Sequence, residues 1–435
     1  MVYILKSSQI NKNGKVRNSR EDDLFMKKIL VVSTYYYERL KVVLDDMLNM
    51  LKEENPKEQY ELYIVNENYG ATTSTEVKYK NYISTSDSTD ENEMNKLVEC
   101  VRSWPEFDFS VQTDEYAVTI LAIINSRLGL IGLTLEEEHK FRDKVTMKKY
   151  LNDDIQKPLL YTLEDIKNNS ISYPVIVKPR TFAASKGVCK INNKEELLAI
   201  IENKQVDYSR PSIDTMDDLE VEEFIDGDVY HIDGIVFNGQ VVFCVTSKYI
   251  NSCFNYAHGK MLGSIKEIDK KQEQALNFAK KVNRDLGIPD GGFHLEAFYK
   301  NNDFAFLEIG IRPGGGDIVP TIEAATGVDL SKEHLKCQLG VKPSITKNKT
   351  KAFGWLNFPC IHGYDYDKYV KSVNIPHFNP ESLYLSKVPS VGDKATASFV
   401  HYGNALGTFI FISDNREQLK KDMKKYAEEY SVDVE

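Results

Sequence analysis

Nowhere in these 435 residues does an apolar run approach the length that a membrane span requires. The stretch Met1 to Asp23 is polar and mixed in charge, so it lacks the apolar core of a secretory signal; Val2 to Leu5 within it reads as a frayed arm or an extra edge strand. Excess positive charge is also missing. The net charge of −10 argues against nucleic acid as a principal partner and leaves room only for a local basic site that holds a nucleotide. The six cysteines, at positions 100, 189, 244, 253, 337 and 360, lack the paired spacing of zinc sites and read as reduced thiols in a cytoplasmic protein. There is no internal repeat and no long low-complexity tract. The most polar stretch, Asn81 to Asn95, reads as a surface loop or linker.

What is present is an ordinary globular composition, 42% apolar, in a chain long enough for two to four domains. Lys28 to Ser33 reads as a buried strand, Tyr37 to Lys52 as a helix and Tyr60 to Val65 as a second strand, which together suggest an open parallel sheet. Met94 to Val101 and Tyr116 to Leu128 read as helices flanking a short strand near Phe107 to Gln112. No glycine-rich phosphate fingerprint follows the first strand, so this unit is not expected to bind a nucleotide itself.

Further along, Glu136 to Leu151 reads as one charged helix that places Lys144 near an apolar stripe. Lys178 closes the strand Ile171 to Pro179, and the proline stops the ladder there. The small-residue loop Thr181 to Val188 follows. Its backbone N–H groups suit a polyphosphate, with Lys186 adding charge beside Ser185 and Gly187. Asn193 to Glu202 reads as a capped helix. Leu219 to Asp228 begins a strand that turns at Asp226-Gly227, and Asn238-Gly239 marks a hairpin joining Ile232–Phe237 to Gln240–Thr246. Gln272 to Leu286 reads as an amphipathic helix. Strands near Lys351 to Phe358, Val391 to His401 and Thr408 to Ser413, and a helix from Asn415 to Tyr430, are expected in the last region, which reads as a covering domain.

The stretch Gly291 to Gly316 carries the chemistry. It reads as two strands joined by the turn Asn301-Asn302-Asp303, followed by a glycine-rich loop. A three-residue turn sets Glu296 opposite Glu308 and Phe298 opposite Phe306, so two carboxylates share an otherwise aromatic face. Like charges that close are destabilising unless a cation sits between them. Oxygen-only ligands, few in number, point to Mg²⁺ or Mn²⁺ completed by water and a substrate's phosphates. The alternative is a solvated hairpin. Arg312 and three following glycines put a fixed cation and a flexible loop beside the acids.

Taken in this order, these residues resemble the ATP-grasp superfamily, on the side that includes biotin carboxylase and the L-amino acid ligases. The resemblance covers nearly the whole chain and implies an α/β fold, α+β in the grasp domain. The units expected are an N-terminal open α/β domain at 1–133, the grasp domain at 134–340 and a C-terminal α+β cap at 341–435. It implies that Lys144 and Lys178 hold ATP phosphates under the loop that includes Ser185, Lys186 and Gly187. The hinge Glu222-Glu223-Phe224-Ile225 would read adenine, with Asp228 at the ribose. Glu296 and Glu308 would hold the magnesium, and Arg312 would be the functional arginine. Lys260 and His258 fall where family members carry a basic residue facing the acceptor, and His294 is expected opposite Gly310 as a supporting or substrate-side group. The chain departs from the family at Gly310, where many members have a metal-side asparagine. The reaction implied is activation of an amino acid or similar acid as an acyl phosphate and its capture by an amine, free or on a carrier protein. A biotin-carboxylase-like activity is the alternative within enzymes, although no biotinyl-lysine segment is present. An ATP-binding protein with impaired turnover is the alternative outside them. Relatives are often homodimers.

Overall fold

The structure is a computed structural model that describes residues 26–67, 81–85, 87–183, 185, 187–203, 219–257, 259–345, 351–359, 368–395 and 405–435. The strand suggested at Val2 to Leu5 lies outside the described residues.

The first unit alternates strand and helix: β1 (Met26–Ser33), α1 (Tyr37–Glu54), β2 (Gln59–Glu67), β3 (Tyr82–Thr85), α2 (Glu91–Ser103), β4 (Phe109–Gln112) and α3 (Ala117–Leu128). Its four strands are parallel in the order β3-β2-β1-β4. The run Ile29-Leu-Val-Val is fully buried because helices cover both sheet faces, α1 on one and α2 with α3 on the other. The stretch expected as a loop between 81 and 95 instead supplies edge strand β3 and opens α2. Its polar residues find partners there: the Tyr82 hydroxyl donates to Asn66 Oδ1 at 3.0 Å, and Ile83 packs into the core beneath α2.

Charged residues 136–151 form two helices, α4 (Leu135–Arg142) and α5 (Lys144–Tyr150). Asp143 breaks the expected single helix: its backbone is extended, its side chain accepts from Thr146 N, and Arg180 Nη2 holds its other oxygen at 2.5 Å. The break starts a new helix at Lys144. Next come β5 (Leu160–Tyr161), α6 (Leu163–Lys167), β6 (Val175–Pro179), β7 (Cys189–Ile191), α7 (Lys194–Asn203) and β8 (Leu219–Glu223). The strands form a small antiparallel sheet, β5-β8-β6-β7, over an aliphatic core of Val175, Val177, Ile191, Leu197 and Val221.

The remaining chain builds a larger sheet. Its elements are β9 (Asp228–Phe237), β10 (Gln240–Asn251), α8 (Cys253–Ala257), β11 (Leu262–Lys266), α9 (Asp269–Leu286), β12 (Gly291–Lys300), β13 (Asp303–Gly310), α10 (Ile318–Thr326) and α11 (Leu330–Gln338). After them come β14 (Ala352–Asn357), β15 (Val370–Asn374), β16 (Leu383–Lys387), β17 (Thr408–Ser413), α12 (Arg416–Glu429) and β18 (Ser431–Val434). Eight strands pair in the order β13-β12-β9-β10-β11-β14-β17-β16. The region expected as a cap therefore continues the central sheet through the β11–β14 ladder, and among its described residues β15 and β18 pair apart. Of the strand expected from Val391 to His401, residues 391–395 form a turn and a single bridge to Tyr369, and the rest lies outside the described residues.

The hairpin of β12 and β13 matters most. Its turn has two residues, Asn301 and Asn302, both in the left-handed region at φ 53° and 65°, as a tight hairpin of this twist requires. Alone, that turn would set the pairing one residue away from the expected register. An irregularity between Glu296 and Ala297, where Leu307 is left over on β13, restores it, so Glu296 does face Glu308 and His294 faces Gly310. Phe298, expected opposite Phe306, faces Ala305. The bulge also turns Phe306 over: with Phe304, Leu295, Ala297 and Ile309 it packs into the core. The two glutamates thus share a polar face and not an aromatic one.

Candidate active site

On that polar face Glu296 is buried and well surrounded. Its Oε1 accepts from the Tyr249 hydroxyl at 2.8 Å, lies 3.5 Å from His294 Nε2 and meets Cys253 Sγ at 3.7 Å. Burial would raise its pKa, but the His294 imidazole and the Tyr249 hydroxyl outweigh burial and hold it low. His294 is itself fixed: its Nδ1 lies 2.8 Å from Asp233 Oδ1, and Asp233 Oδ2 meets His231 Nδ1 at 2.5 Å. Burial would lower the His294 pKa, yet Asp233 above all raises it to about 9. The His231–Asp233–His294 set thus stands directly behind Glu296, its three ligand atoms within 4.8 Å of one another.

Glu308 faces the lysines. Lys144, first residue of α5, places Nζ 3.3 Å from Glu308 Oε2 and donates to the carbonyl of Phe182 in the small-residue loop. One helical turn on, Lys148 reaches Glu220 Oε2 at 2.9 Å and Glu222 Oε2 at 2.7 Å. Lys178, near the end of β6, reaches Glu220 Oε1 at 3.2 Å and Glu222 Oε1 at 2.7 Å. All four of these side chains are buried. Burial would discharge Lys178, but Glu222, Glu220 and Glu308 more than offset it, so the ammonium is held charged. The same two lysines keep Glu222 ionised against its own burial.

Not every expected residue joins this group. Ser185 and Gly187 lie in the loop after β6 with φ 54° and 70°; Lys186 and His258 lie outside the described residues. Glu223 bonds the backbone of Leu159, just before β5, while Phe224 and Ile225 follow β8, half-buried, with Lys190 Nζ 3.7 Å from the Phe224 ring centre. Asp228 is exposed and paired to Lys248 at 2.5 Å, away from the carboxylate pair. Lys260 is exposed too, and its backbone N–H closes the turn onto Asn255. Arg312 lies just beyond β13; its Nε donates to Glu115 Oε2 at 2.6 Å and its Nη1 to the carbonyl of Pro313.

Sequence reasoning missed Lys148, Glu220, Asp233, Tyr249 and Glu115. Two of these had a signal. Lys148 is four residues after Lys144 on one helix face, and Glu220 shares a strand face with Glu222. Glu115 had none, because its partners lie far along the chain.

A parallel α/β unit followed by a small and a large antiparallel sheet, with three buried lysines and a carboxylate hairpin, has the architecture of the ATP-grasp fold. Residues 171–321 match the sequence model of the ATP-grasp domain. Over that stretch the chain is similar to ATP-grasp domains, and the relatives it resembles include amino acid ligases. It is 24% identical to the L-arginine-specific L-amino acid ligase of Bacillus subtilis over 290 residues, 64% of this chain and 69% of that protein. It is 27% identical to the alanine–anticapsin ligase of Bacillus subtilis over 256 residues, and so spans about half (52%) of that relative's length. The solved structure of an L-amino acid ligase from Bacillus licheniformis superposes with a TM-score of 0.67 at 16% identity, covering 94% of this chain and 98% of that one. An N5-carboxyaminoimidazole ribonucleotide synthetase from Thermotoga maritima gives 0.60 at 16% identity over 94% and 99%. These likenesses establish the fold. No helix among the described residues is long and apolar enough to cross a membrane.

Proposed function

We propose that the protein is an ATP-dependent ligase that activates an amino acid or similar small carboxylic acid as an acyl phosphate and joins it to an amine. The observation that carries this reading is the contact of Lys144 with Glu308, opposite Glu296, at the mouth of the small-residue loop. A carboxylate is a poor electrophile, and phosphorylation gives it a leaving group. Catalysis is then positioning and charge neutralisation.

The residues present fit that task. Glu296 and Glu308 offer oxygens only, which suits Mg²⁺ or Mn²⁺. Bound there, the ion would neutralise phosphate oxygens. Lys144 and Lys178 would bring two ammonium groups to the same oxygens, with the loop that carries Ser185 and Gly187 beside them. The hinge Glu222 to Ile225 would seat the adenine, and Asp228 would have to leave Lys248 to reach the ribose. Arg312, forked and always charged, suits the charge that develops on the acyl phosphate. Lys260 is the proposed group on the acceptor side. In this reading the nucleotide belongs to residues 134–340.

The test is phosphate release from Mg–ATP with pools and pairs of amino acids, products read by mass. A product equal to two substrates minus water is expected. Glu308→Ala should cut turnover on the order of 100- to 1000-fold. Normal turnover in that variant would sink the metal assignment. ATP binding with no phosphate release from any pool would favour a protein that grips ATP without using it.

A further inference from the structure

Gly310 ends β13 opposite His294, and a methyl group at its Cα would stand 2.8 Å from Glu115 Oε2. A carboxylate from a distant part of the chain thus fills the room that the missing side chain leaves. Glu115 follows β4, in the step between the parallel sheet and α3. One of its oxygens accepts from Arg312 Nε at 2.6 Å, and the other accepts from Arg142 Nη1. Arg142 in turn donates through Nη2 to the carbonyl of Thr181, 2.7 Å away, at the root of the small-residue loop. Burial would raise the Glu115 pKa, but Arg142 and Arg312, with Lys144 further off, outweigh it and hold the carboxyl at about 2.

We propose that Glu115 is a positioning residue of the active site, supplied by the parallel-sheet unit, which aims Arg312 and ties it through Arg142 to the loop over the phosphates. This rests on the ligase reading above. A guanidinium on a flexible stem loses rotamer freedom when it must meet one geometry; a fixed carboxylate at Nε removes that freedom in advance. The glycine and the carboxylate form one device, since any side chain at 310 would displace Glu115.

The experiment uses the full chain and calorimetric titration with ADP–Mg²⁺, with and without aluminium fluoride as a stand-in for the transferring phosphoryl group. Glu115→Gln keeps the shape and removes the charge. It should leave ADP–Mg²⁺ affinity within about threefold, because the lysines and the hinge hold the nucleotide, and cut the extra tightening given by fluoride at least about tenfold. Unchanged fluoride tightening in Glu115→Gln would overturn the proposal alone. A wild-type chain that binds no ADP–Mg²⁺ would overturn the ligase reading, and the proposal with it. Shared volume is tested separately by melting: Gly310→Ala should destabilise the wild type more than it destabilises Glu115→Ala, whereas additive effects would remove the steric half of the argument.

Discussion

His334 on α11 is a neutral imidazole wedged between two units. Its Nδ1 accepts from Gly292 N–H at 2.9 Å, and its Nε2–H donates to the carbonyl of Gln112, 3.1 Å away. Burial pushes its pKa down to about 4. The unfolded chain, near 6.5, therefore binds a proton that the folded one refuses. Stability from this residue is fully present above pH 6.5 and is lost as pH falls toward 4, by ~3 kcal/mol in all. Urea unfolding across that range should show the slope, and His334→Gln should flatten it. Lys148 belongs to the same scale. Lys148→Met would leave Glu220 and Glu222 to share Lys178, and a loss of about 3–5 kcal/mol in unfolding free energy is expected by chemical denaturation. A loss under 1 kcal/mol would mean that the buried set tolerates an odd charge. These residues show where sequence reading stops. Lys144, Lys178 and Glu222 were singled out through the resemblance, and the structure buries all three among ion-pair partners. The Lys148–Glu220 pair and the Glu115–Arg312 pair are made by residues 72 and 197 positions apart, which no local pattern reports.

At the scale of the element, the β12–β13 hairpin shows an expectation right at one end and wrong at the other. The spacing of the two glutamates was legible; the two-residue turn and the bulge at Leu307 were not, because their effects on register cancel beyond Glu296. The device is testable. Deleting Leu307 should turn the ladder into a regular one, with Phe306 still in the core and Glu308 still opposite Glu296, since side-chain direction alternates at each position. Mg–ATP affinity should then stay within about threefold, whereas one further residue inserted after Leu307 should turn Glu308 away from Glu296 and cut affinity at least about tenfold; a tenfold loss on deletion alone would show that the bulge itself shapes the site. The helix expected as continuous through 143 failed for a related reason. Period and charge fit one helix, but Asp143 prefers to cap, and its ion pair with Arg180 fixes the break.

For the molecule as a whole, strand–helix alternation revealed the parallel sheet, whereas the sharing of one sheet between residues 228–310 and 352–413 was hidden. Strand pairing across α10 and α11 leaves no periodic mark. The joint is substantial: β11 pairs with β14 over four residue pairs, and Trp355, Phe353 and Ile410 pack with Ile318, Ile322 and Tyr249. Backbone connection and structural connection therefore part company near residue 345. Two polypeptides, 1–345 and 351–435, should find each other when co-expressed, co-purify and recover nucleotide binding. Either piece alone should precipitate, since each exposes a bare strand edge above an apolar face. Recovery by halves would make this chain a split reporter, in which the chemistry of one piece answers to the presence of the other.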